Sequence, residues 1–200
     1  MIISLKNPPN QSLIHLAKKS YNMQYVKIPG DRLGVLIGEK GATLRNIESQ
    51  ANVTINVDSE NHRVQIENTA EPFEELTAAD IVKAIGSGFS PKDALSLLKN
   101  DETIFDLIDL KRLSRNENDM KRHKSRLIGK NGRTRATMEE LTNTKIVIYG
   151  STVGIIGLYQ QVELVRSAVE MIIDGSRHGS VYGFLERKRQ EVNQSKFDRF

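Results

Sequence analysis

The sequence predicts an α+β protein made of two copies of a small domain, followed by a C-terminal helix. The first observation is a repeat, because Leu-Ile-Gly-x-x-Gly occurs at Leu36–Gly41 and again at Leu127–Gly132, 91 residues later. The same spacing continues beyond the glycines, where Ile47, Glu48, Ile55 and Val57 correspond to Met138, Glu139, Ile146 and Ile148. The second observation is that each copy combines strand-like alternation with helical spacing of apolar residues. A repeat of this length indicates a duplicated domain and not a solenoid.

The first copy contains patterns for three strands and three helices. Gln24–Ile28 alternates and stops at Pro29-Gly30, which predicts a strand and its turn. Asp31 is expected to cap a short helix over Arg32–Ile37. The remaining predicted elements are a helix over Ala42–Ala51, strands over Val53–Val57 and His62–Ile66, and an acidic helix over Pro72–Ile85.

The second copy repeats these patterns after a linker. A cap residue, a proline and an acid at Ser90–Asp93 predict a linker helix that runs to about Lys99 and bridges the copies. The predicted elements of the copy itself are strands over Thr103–Leu110, Lys145–Tyr149 and Thr152–Gly157, and helices over Arg133–Thr142 and Leu158–Ile173. The first strand ends further from its glycine turn than in the first copy, so we expect a longer first helix or a loop at Arg112–Lys124.

The expected organisation has five parts. They are an N-terminal appendage at 1–23 with a short helix over Asn10–Lys19, a first domain at 24–88, a linker helix at 89–101, a second domain at 102–177, and a basic C-terminal helix and tail at 178–200, helical over Ser180–Val192. The chain has no cysteine, no run of 18 apolar residues and no apolar signal-peptide core at its N-terminus. These absences favour a reducing cytoplasm and no membrane contact.

Positive charge is concentrated at the second glycine turn. Between Lys111 and Arg135 there are ten Lys or Arg and two acidic residues, a local charge of +8 within a chain whose net charge is +4. By contrast, Tyr25–Ile66 carries five basic and five acidic residues. A charge run alone is usually a solvated surface, but a glycine turn inside the run favours nucleic-acid binding.

The chemistry of this turn fits a nucleic-acid backbone. Gly129 and Gly132 lack a Cβ, so a phosphate can approach the main chain. The helix that starts near Arg133 directs its free N–H groups and positive dipole end toward that phosphate. Lys130, Arg133 and Arg135, with Arg126 upstream, add counter-charge.

Enzyme function is not predicted. Neither glycine turn fits the phosphate-binding loop Gly-x-x-x-x-Gly-Lys-Ser/Thr. The four histidines, at 15, 62, 123 and 178, lack ligand spacing and are expected at the surface. No carboxylate cluster resembles a two-metal nuclease, so we expect no catalytic residue, metal or cofactor.

The repeated Leu-Ile-Gly-x-x-Gly, followed by a helix and a β-rich run, resembles the KH domain, a reader of single-stranded nucleic acid. The resemblance covers about residues 24–190 and implies two type I KH domains (β-α-α-β-β-α), each a three-stranded antiparallel sheet with helices on one face. Gly-x-x-Gly-x-Thr-Arg at Gly129–Arg135 and the tail His178–Arg189 are similar to archaeal members of the partner-of-Nob-one family, KH proteins of small-subunit ribosome assembly.

The resemblance implies RNA-binding residues in both copies. About four nucleotides are expected to lie between the glycine turn and the hairpin strand, over an aliphatic floor. The RNA-binding residues predicted on this basis are Ile37, Gly38, Glu39, Lys40, Gly41, Arg45, Ile55, Arg126, Ile128, Gly129, Lys130, Asn131, Gly132, Arg133, Thr134, Arg135, Ile146, Arg187 and Lys188. For the floor residues a plain core role is the more common one. For Arg135, RNA contact is favoured over an ion pair with Glu139 one turn on.

The resemblance also implies partners. They are single-stranded rRNA near the 3′ end of the small-subunit rRNA, the rRNA-maturation endonuclease and the alpha subunit of translation initiation factor two. The competing interpretation is a KH-based adaptor in translation initiation or RNA decay, in which RNA binding is secondary. The acidic helix at Pro72–Ile85 and the C-terminal helix are the surfaces that this alternative would use.

Overall fold

The computed structural model of the protein describes residues 23–68 and 72–197. At 68, 72, 73 and 192–197 it describes the main chain only. The first domain contains strands β1 (Met23–Lys27), β2 (Val53–Asp58) and β3 (Arg63–Asn68) and helices α1 (Gly30–Ile37), α2 (Ala42–Ala51) and α3 (Pro72–Gly86). A short helix α4 (Pro91–Ala94) and a 3-10 turn (Leu95–Leu98) form the linker. The predicted helix over Asn10–Lys19 lies outside the described residues.

The second domain repeats the order of the first and adds a helix. Its elements are β4 (Thr103–Asp109), α5 (Glu117–Ile128), α6 (Arg133–Thr142), β5 (Lys145–Tyr149), β6 (Thr152–Leu158), α7 (Tyr159–Ile173) and α8 (His178–Phe197). Each domain holds a three-stranded antiparallel sheet, with strand orders β1-β3-β2 and β4-β6-β5. The predicted α+β class, with two β-α-α-β-β-α units and a C-terminal helix, is confirmed.

Alternation in the strands places one face of each sheet in a core. In the first domain Ile55 pairs with Ile66 and Val57 with Val64, and Val64 and Ile66 are fully buried. In the second domain Ile146 and Ile155 pair in the same way and are also buried. Each such aliphatic side chain contributes about 1.5–3 kcal/mol by leaving water, so the strand pattern fixes the register.

Most element ends differ from the predictions by one or two residues, and three helix ends show why. α1 begins at Gly30 with Pro29 as its N-cap, and Asp31 lies in its first turn without capping it. The linker helix is α-helical over only Pro91–Ala94, although Ser90 caps it as predicted through the Asp93 N–H at 3.2 Å. α8 begins at His178, two residues before the predicted start.

The central strand of the second sheet, β6, is buried on both faces, which the sequence patterns did not predict. Gly154 and Ile156 lie on the face away from the second core, and Ile156 packs in the first domain's core beside Phe89 of the linker. A Cβ at Gly154 would lie 2.7 Å from the Phe89 ring, so only glycine leaves room for that ring. Phe89 also meets Phe105 edge to face, with ring centroids 6.2 Å apart. The signal in the sequence was Gly154 inside a strand.

Arg32 and Tyr149 also join the two domains. The Arg32 guanidinium donates to the carbonyl oxygens of Ile85 and Phe89 at 2.8 and 2.6 Å, at the end of α3. It also lies 5.7 Å from the centre of the Tyr149 ring. The Tyr149 hydroxyl donates to the Asp31 carboxylate, and this hydrogen bond raises the pKa of the tyrosine.

Gly154→Val is expected to lower the free energy of unfolding by about 1–3 kcal/mol, because the new side chain would overlap the Phe89 ring. The measurement is chemical denaturation of the full chain. Combining Gly154→Val with Phe89→Leu should recover part of the loss, since the smaller residue vacates the space. Equal losses in both backgrounds would contradict this packing.

Candidate nucleic-acid interface

Both glycine turns adopt the same backbone conformation. Gly38 and Gly129 have φ/ψ of 72/179 and 73/175 degrees, a region that only glycine occupies readily. The third residues, Lys40 and Asn131, have φ of 50 and 54 degrees, and the second glycines, Gly41 and Gly132, have φ of 78 and 76 degrees. Asparagine tolerates this left-handed region better than lysine, so the second turn suits its conformation better than the first.

A threonine lies directly below the first glycine of each turn. A Cβ at Gly38 would overlap the Thr43 hydroxyl and lie 2.9 Å from its backbone nitrogen. At Gly129 the corresponding distance to the Thr134 nitrogen is 2.8 Å. Thr134 is only 4 % exposed, so its predicted RNA contact is wrong for the side chain, which supports the turn from beneath. Thr43 was missed, although it matches Thr134 at the same 91-residue spacing.

The second turn presents an uncapped helix N-terminus to solvent. α6 begins directly after Gly132, and no side chain caps its first N–H groups. Free N–H groups and the positive end of the helix dipole bind anions. The turn can therefore accept a phosphate oxygen where a polar side chain would otherwise bind.

The side chains around this N-terminus are cationic and accessible. Lys130, Asn131 and Arg133 are exposed. Neither Lys130 nor Arg133 forms a hydrogen bond or an ion pair within residues 23–68 and 72–197. Ile128, immediately before the turn, is 37 % exposed, and its contact with a base as part of the aliphatic floor remains a prediction.

The first turn has the same shape without the charge. Glu39, Lys40 and Arg45 are exposed, and Ile37 is half-buried. Arg45 lies back along the turn, where its guanidinium would be 3.0 Å from a Cβ at Gly41. The acid at Glu39 offsets Lys40, so this turn attracts a phosphate less strongly.

Arg126 joins parts of the scaffold, and its RNA contact remains a prediction. Its guanidinium donates to the carbonyl oxygens of Ile172 and Ser176, at the end of α7. The carbonyl oxygen of Arg126 lies 3.0 Å from Nε2 of His178, which starts α8. Arg126 therefore connects α5, α7 and the start of α8. Because its partners lie about 50 residues away along the chain, no local sequence pattern predicted these contacts.

Arg135 forms the ion pair that was the less favoured alternative. Its Nε lies 3.6 Å from Oε2 of Glu139, one helical turn on. Its Nε is buried and has no hydrogen-bond partner among the described residues, and its side chain is 43 % exposed. RNA contact through the exposed part of the guanidinium remains a prediction.

Glu48 and Glu139 occupy equivalent positions in the repeat, and each makes the same hydrogen bond in its own domain. Glu48 accepts a hydrogen bond from the backbone N–H of Ile55 at 2.9 Å, and Glu139 accepts one from Ile146 at 2.8 Å. Each bond joins the helix after the turn to the adjacent edge strand. Ile55 and Ile146 are 4 % and 2 % exposed, so their side chains are core residues, and the prediction that they contact bases is wrong.

Arg187 and Lys188 lie away from the glycine turn. α8 packs against α6 and α7 through Val181 and Leu185, which are fully buried. Arg189, the residue after Lys188, lines a crevice with Glu140 and Asn143. These two residues lie at the C-terminal end of α6, whereas the glycine turn precedes its N-terminal end. The ten residues of α6 span about 15 Å. The Lys188 ammonium binds Glu191 at 2.6 Å. Contact of Arg187 and Lys188 with RNA remains a prediction.

The expectation of surface histidines is wrong for His123, which is 2 % exposed. Its Nδ1 lies 3.1 Å from the Ser114 hydroxyl. Within the described ranges no group of histidine and acidic residues could hold a metal ion. In the same ranges no helix has the length and apolarity needed to cross a membrane.

Two family models match the chain. A KH-domain model covers residues 23–79, and the model of the eukaryotic type KH-domain (KH-domain type I) covers residues 104–190. The chain is 39% identical over 180 residues to the KH domain-containing protein MJ0443 of Methanocaldococcus jannaschii, covering 88% of this chain and 78% of that protein.

Eukaryotic relatives and a solved structure extend the comparison. The RNA-binding protein pno1 of Ixodes scapularis is 36% identical over 63% of this chain. The Pre-rRNA-processing protein PNO1 of Eremothecium gossypii is 30% identical over 70%. The chain spans only 54% and 53% of those two proteins. An a/eIF2alpha-aDim2p-rRNA complex from Pyrococcus horikoshii contains a chain 41% identical, with a TM-score of 0.79 over 84% of this chain and 94% of that one.

The tandem matches, the extent of the archaeal relative and the shared turn geometry agree with one another. The chain belongs to the PNO1/Dim2 family of tandem KH-domain proteins.

Proposed function

We propose that this protein binds single-stranded rRNA during assembly of the small ribosomal subunit and holds a segment near the rRNA 3′ end at its second glycine turn. The observation that carries the proposal is the uncapped start of α6, flanked by exposed Lys130 and Arg133. The names of the relatives support it, since one is a pre-rRNA-processing protein and another occurs in a complex with rRNA.

The two domains have unequal roles in this proposal. The second domain supplies most of the affinity, because its turn combines free N–H groups with positive charge. The first domain, whose turn carries Glu39 beside Lys40, adds register or a second short site. The exposed Ile128 provides an apolar surface for a base next to the bound phosphate.

Proteins are further partners in this proposal. The complex that contains a/eIF2alpha and aDim2p supports the alpha subunit of initiation factor two as a partner. The rRNA-maturation endonuclease is implied by the family alone. The protein itself acts by binding, without catalysis, in a reducing cytoplasm, which its lack of cysteine favours.

The alternative function as an adaptor is favoured by one surface. Leu76 of α3 is 55 % exposed, and it lines a crevice of about 340 Å³ together with Asp80 and Asp101. An exposed apolar side chain among acids suits a basic protein partner.

A binding titration tests the proposed function. Fluorescently labelled RNA that copies the 3′ end of the small-subunit rRNA should bind at physiological salt at least ten-fold more tightly than duplex RNA of the same sequence, since a KH cleft reads unpaired bases. RNA of shuffled sequence serves as the control for sequence preference. Equal affinity for duplex would contradict the proposal. Negligible RNA binding alongside stoichiometric capture of a protein partner would favour the adaptor.

A further inference from the structure

The connection between β4 and α5 is an insertion that the fold of the second domain does not require. In the first domain, only Ile28 and Pro29 separate β1 from α1. In the second domain, residues 110–116 separate β4 from α5, and the last buried core residue among them is Leu110. The six residues after it, Lys111–Asn116, form the basic loop.

Three hydrogen bonds donated by main-chain N–H groups order the basic loop. The Lys111 N–H donates to the Asp109 carboxylate at 2.9 Å, and the Leu113 N–H donates to the Leu110 carbonyl oxygen at 3.2 Å. The Arg115 N–H donates to the Asp119 carboxylate at 3.2 Å, and this bond holds the pKa of that carboxyl below its usual range.

Two side chains fix the far end of the basic loop. The buried His123 lies under it, with Nδ1 3.1 Å from the Ser114 hydroxyl and Nε2 3.6 Å from Asp119. The Asn116 side chain caps α5 by accepting from the Asp119 N–H at 2.9 Å. A loop ordered in this way loses little conformational entropy when it binds a partner.

The side chains that this scaffold presents are cationic. Lys111, Arg112 and Arg115 are exposed, and the Arg112 side chain is 87 % exposed, with Asp109 3.5 Å away. Leu113 between them is 44 % exposed. Pairs this exposed contribute little, so these cations remain available to an anionic partner.

The basic loop adjoins the hairpin end of the RNA cleft. The Leu110 N–H donates to the Ser151 carbonyl oxygen at 2.8 Å, in the turn between β5 and β6. The Lys124 ammonium reaches the next carbonyl oxygen of the same turn, Gly150, at 2.7 Å. α5 separates the basic loop from the glycine turn, and its 12 residues span about 18 Å.

We propose that the basic loop is a second site for the RNA backbone, which binds phosphates beyond the roughly four nucleotides that a KH cleft holds. This inference rests on the proposed function of the cleft. A strand that leaves the cleft at the hairpin meets Lys111, Arg112 and Arg115 in succession, and Leu113 offers an apolar contact to a base. Continuity with the cleft favours RNA over an acidic protein as the occupant.

A variant with Lys111→Gln, Arg112→Gln and Arg115→Gln tests this site, since none of the hydrogen bonds that order the loop uses the three side chains that are changed. Affinity should be measured for RNA of about four to six nucleotides and for RNA about three times longer. The variant should bind the longer RNA about ten-fold less tightly. Its salt slope, log Kd against log salt, should fall by about two units, at roughly 0.7 per phosphate contact. Its affinity for the short RNA should stay the same.

The control variant removes three exposed cations of the first domain and linker, Lys27→Gln, Lys83→Gln and Lys92→Gln. This variant has the same net charge as the basic-loop variant. If the position of the cations determines RNA binding, and not the total charge, the control should keep the wild-type affinity for both RNAs. Equal loss on short and long RNA, or no loss on either, would overturn the second site, and no loss would favour a protein at the basic loop. Failure of the wild-type protein to bind either RNA would instead refute the proposed function.

Discussion

Reversing the charge of Lys130 and Arg133 together is expected to lower the affinity for single-stranded RNA about 100-fold or more. In the proposed complex each side chain makes a charge-assisted contact with a phosphate, worth about 1.5–3 kcal/mol. Each tenfold in affinity corresponds to about 1.4 kcal/mol. The two glutamates would also repel the phosphate from the start of α6. Titration of labelled RNA with the Lys130→Glu, Arg133→Glu protein measures the loss.

The matched control is Lys40→Glu with Arg45→Glu in the first domain. The same number of charges is reversed beside a turn of the same backbone shape. Because that turn already carries Glu39, a loss of only a few-fold is expected. Thermal melts of both variants should match the wild type, since none of the four side chains is buried. A larger loss in the first domain would reject the proposed division of roles.

The second large effect is expected at Gly129. Gly129→Ala should lower the free energy of unfolding by about 3 kcal/mol or more, because the backbone there has φ/ψ of 73/175 degrees, a region essentially restricted to glycine. The new Cβ would also lie 2.8 Å from the Thr134 backbone nitrogen. RNA binding should be lost as well, since the turn can relieve the overlap only by moving the start of α6.

Two control substitutions test whether the loss is specific to the backbone conformation of Gly129 or follows from replacing any glycine. Gly132 has φ/ψ of 76/8 degrees, and a Cβ there meets nothing within 4 Å. Gly132→Asn is therefore expected to cost under about 1 kcal/mol, because asparagine tolerates this conformation. Gly34→Ala, inside α1 with open space around it, should stabilise the protein by about 0.5–1 kcal/mol. Equal melting shifts at Gly129 and Gly132 would contradict the geometry described.

The fold was predictable because its determinants are local and repeated. Alternation in β2 and β3 gave the strands, and the two glycine turns gave the helix starts that follow them. The repeat also indicated that Glu48 and Glu139 matter, although only the structure shows that each accepts a hydrogen bond from an edge strand.

The candidate site was only partly predictable, because charge in a sequence does not reveal its partner. Lys130 and Arg126 look alike as basic residues near a glycine turn. One is exposed to solvent, and the other donates to carbonyl oxygens at the end of a distant helix. Thr134 and Ile146 likewise belong to the correct segments, but their side chains are buried beneath the surface that RNA would touch.

The two-sided burial of β6 limits how this architecture can be divided. Ile156 and the space above Gly154 are covered by residues that precede the second domain in the chain. A fragment beginning at β4 would leave that apolar sheet face bare, which promotes aggregation. The two domains therefore share one buried apolar surface, and a fragment that contains only one of them is expected to expose its part of that surface to water.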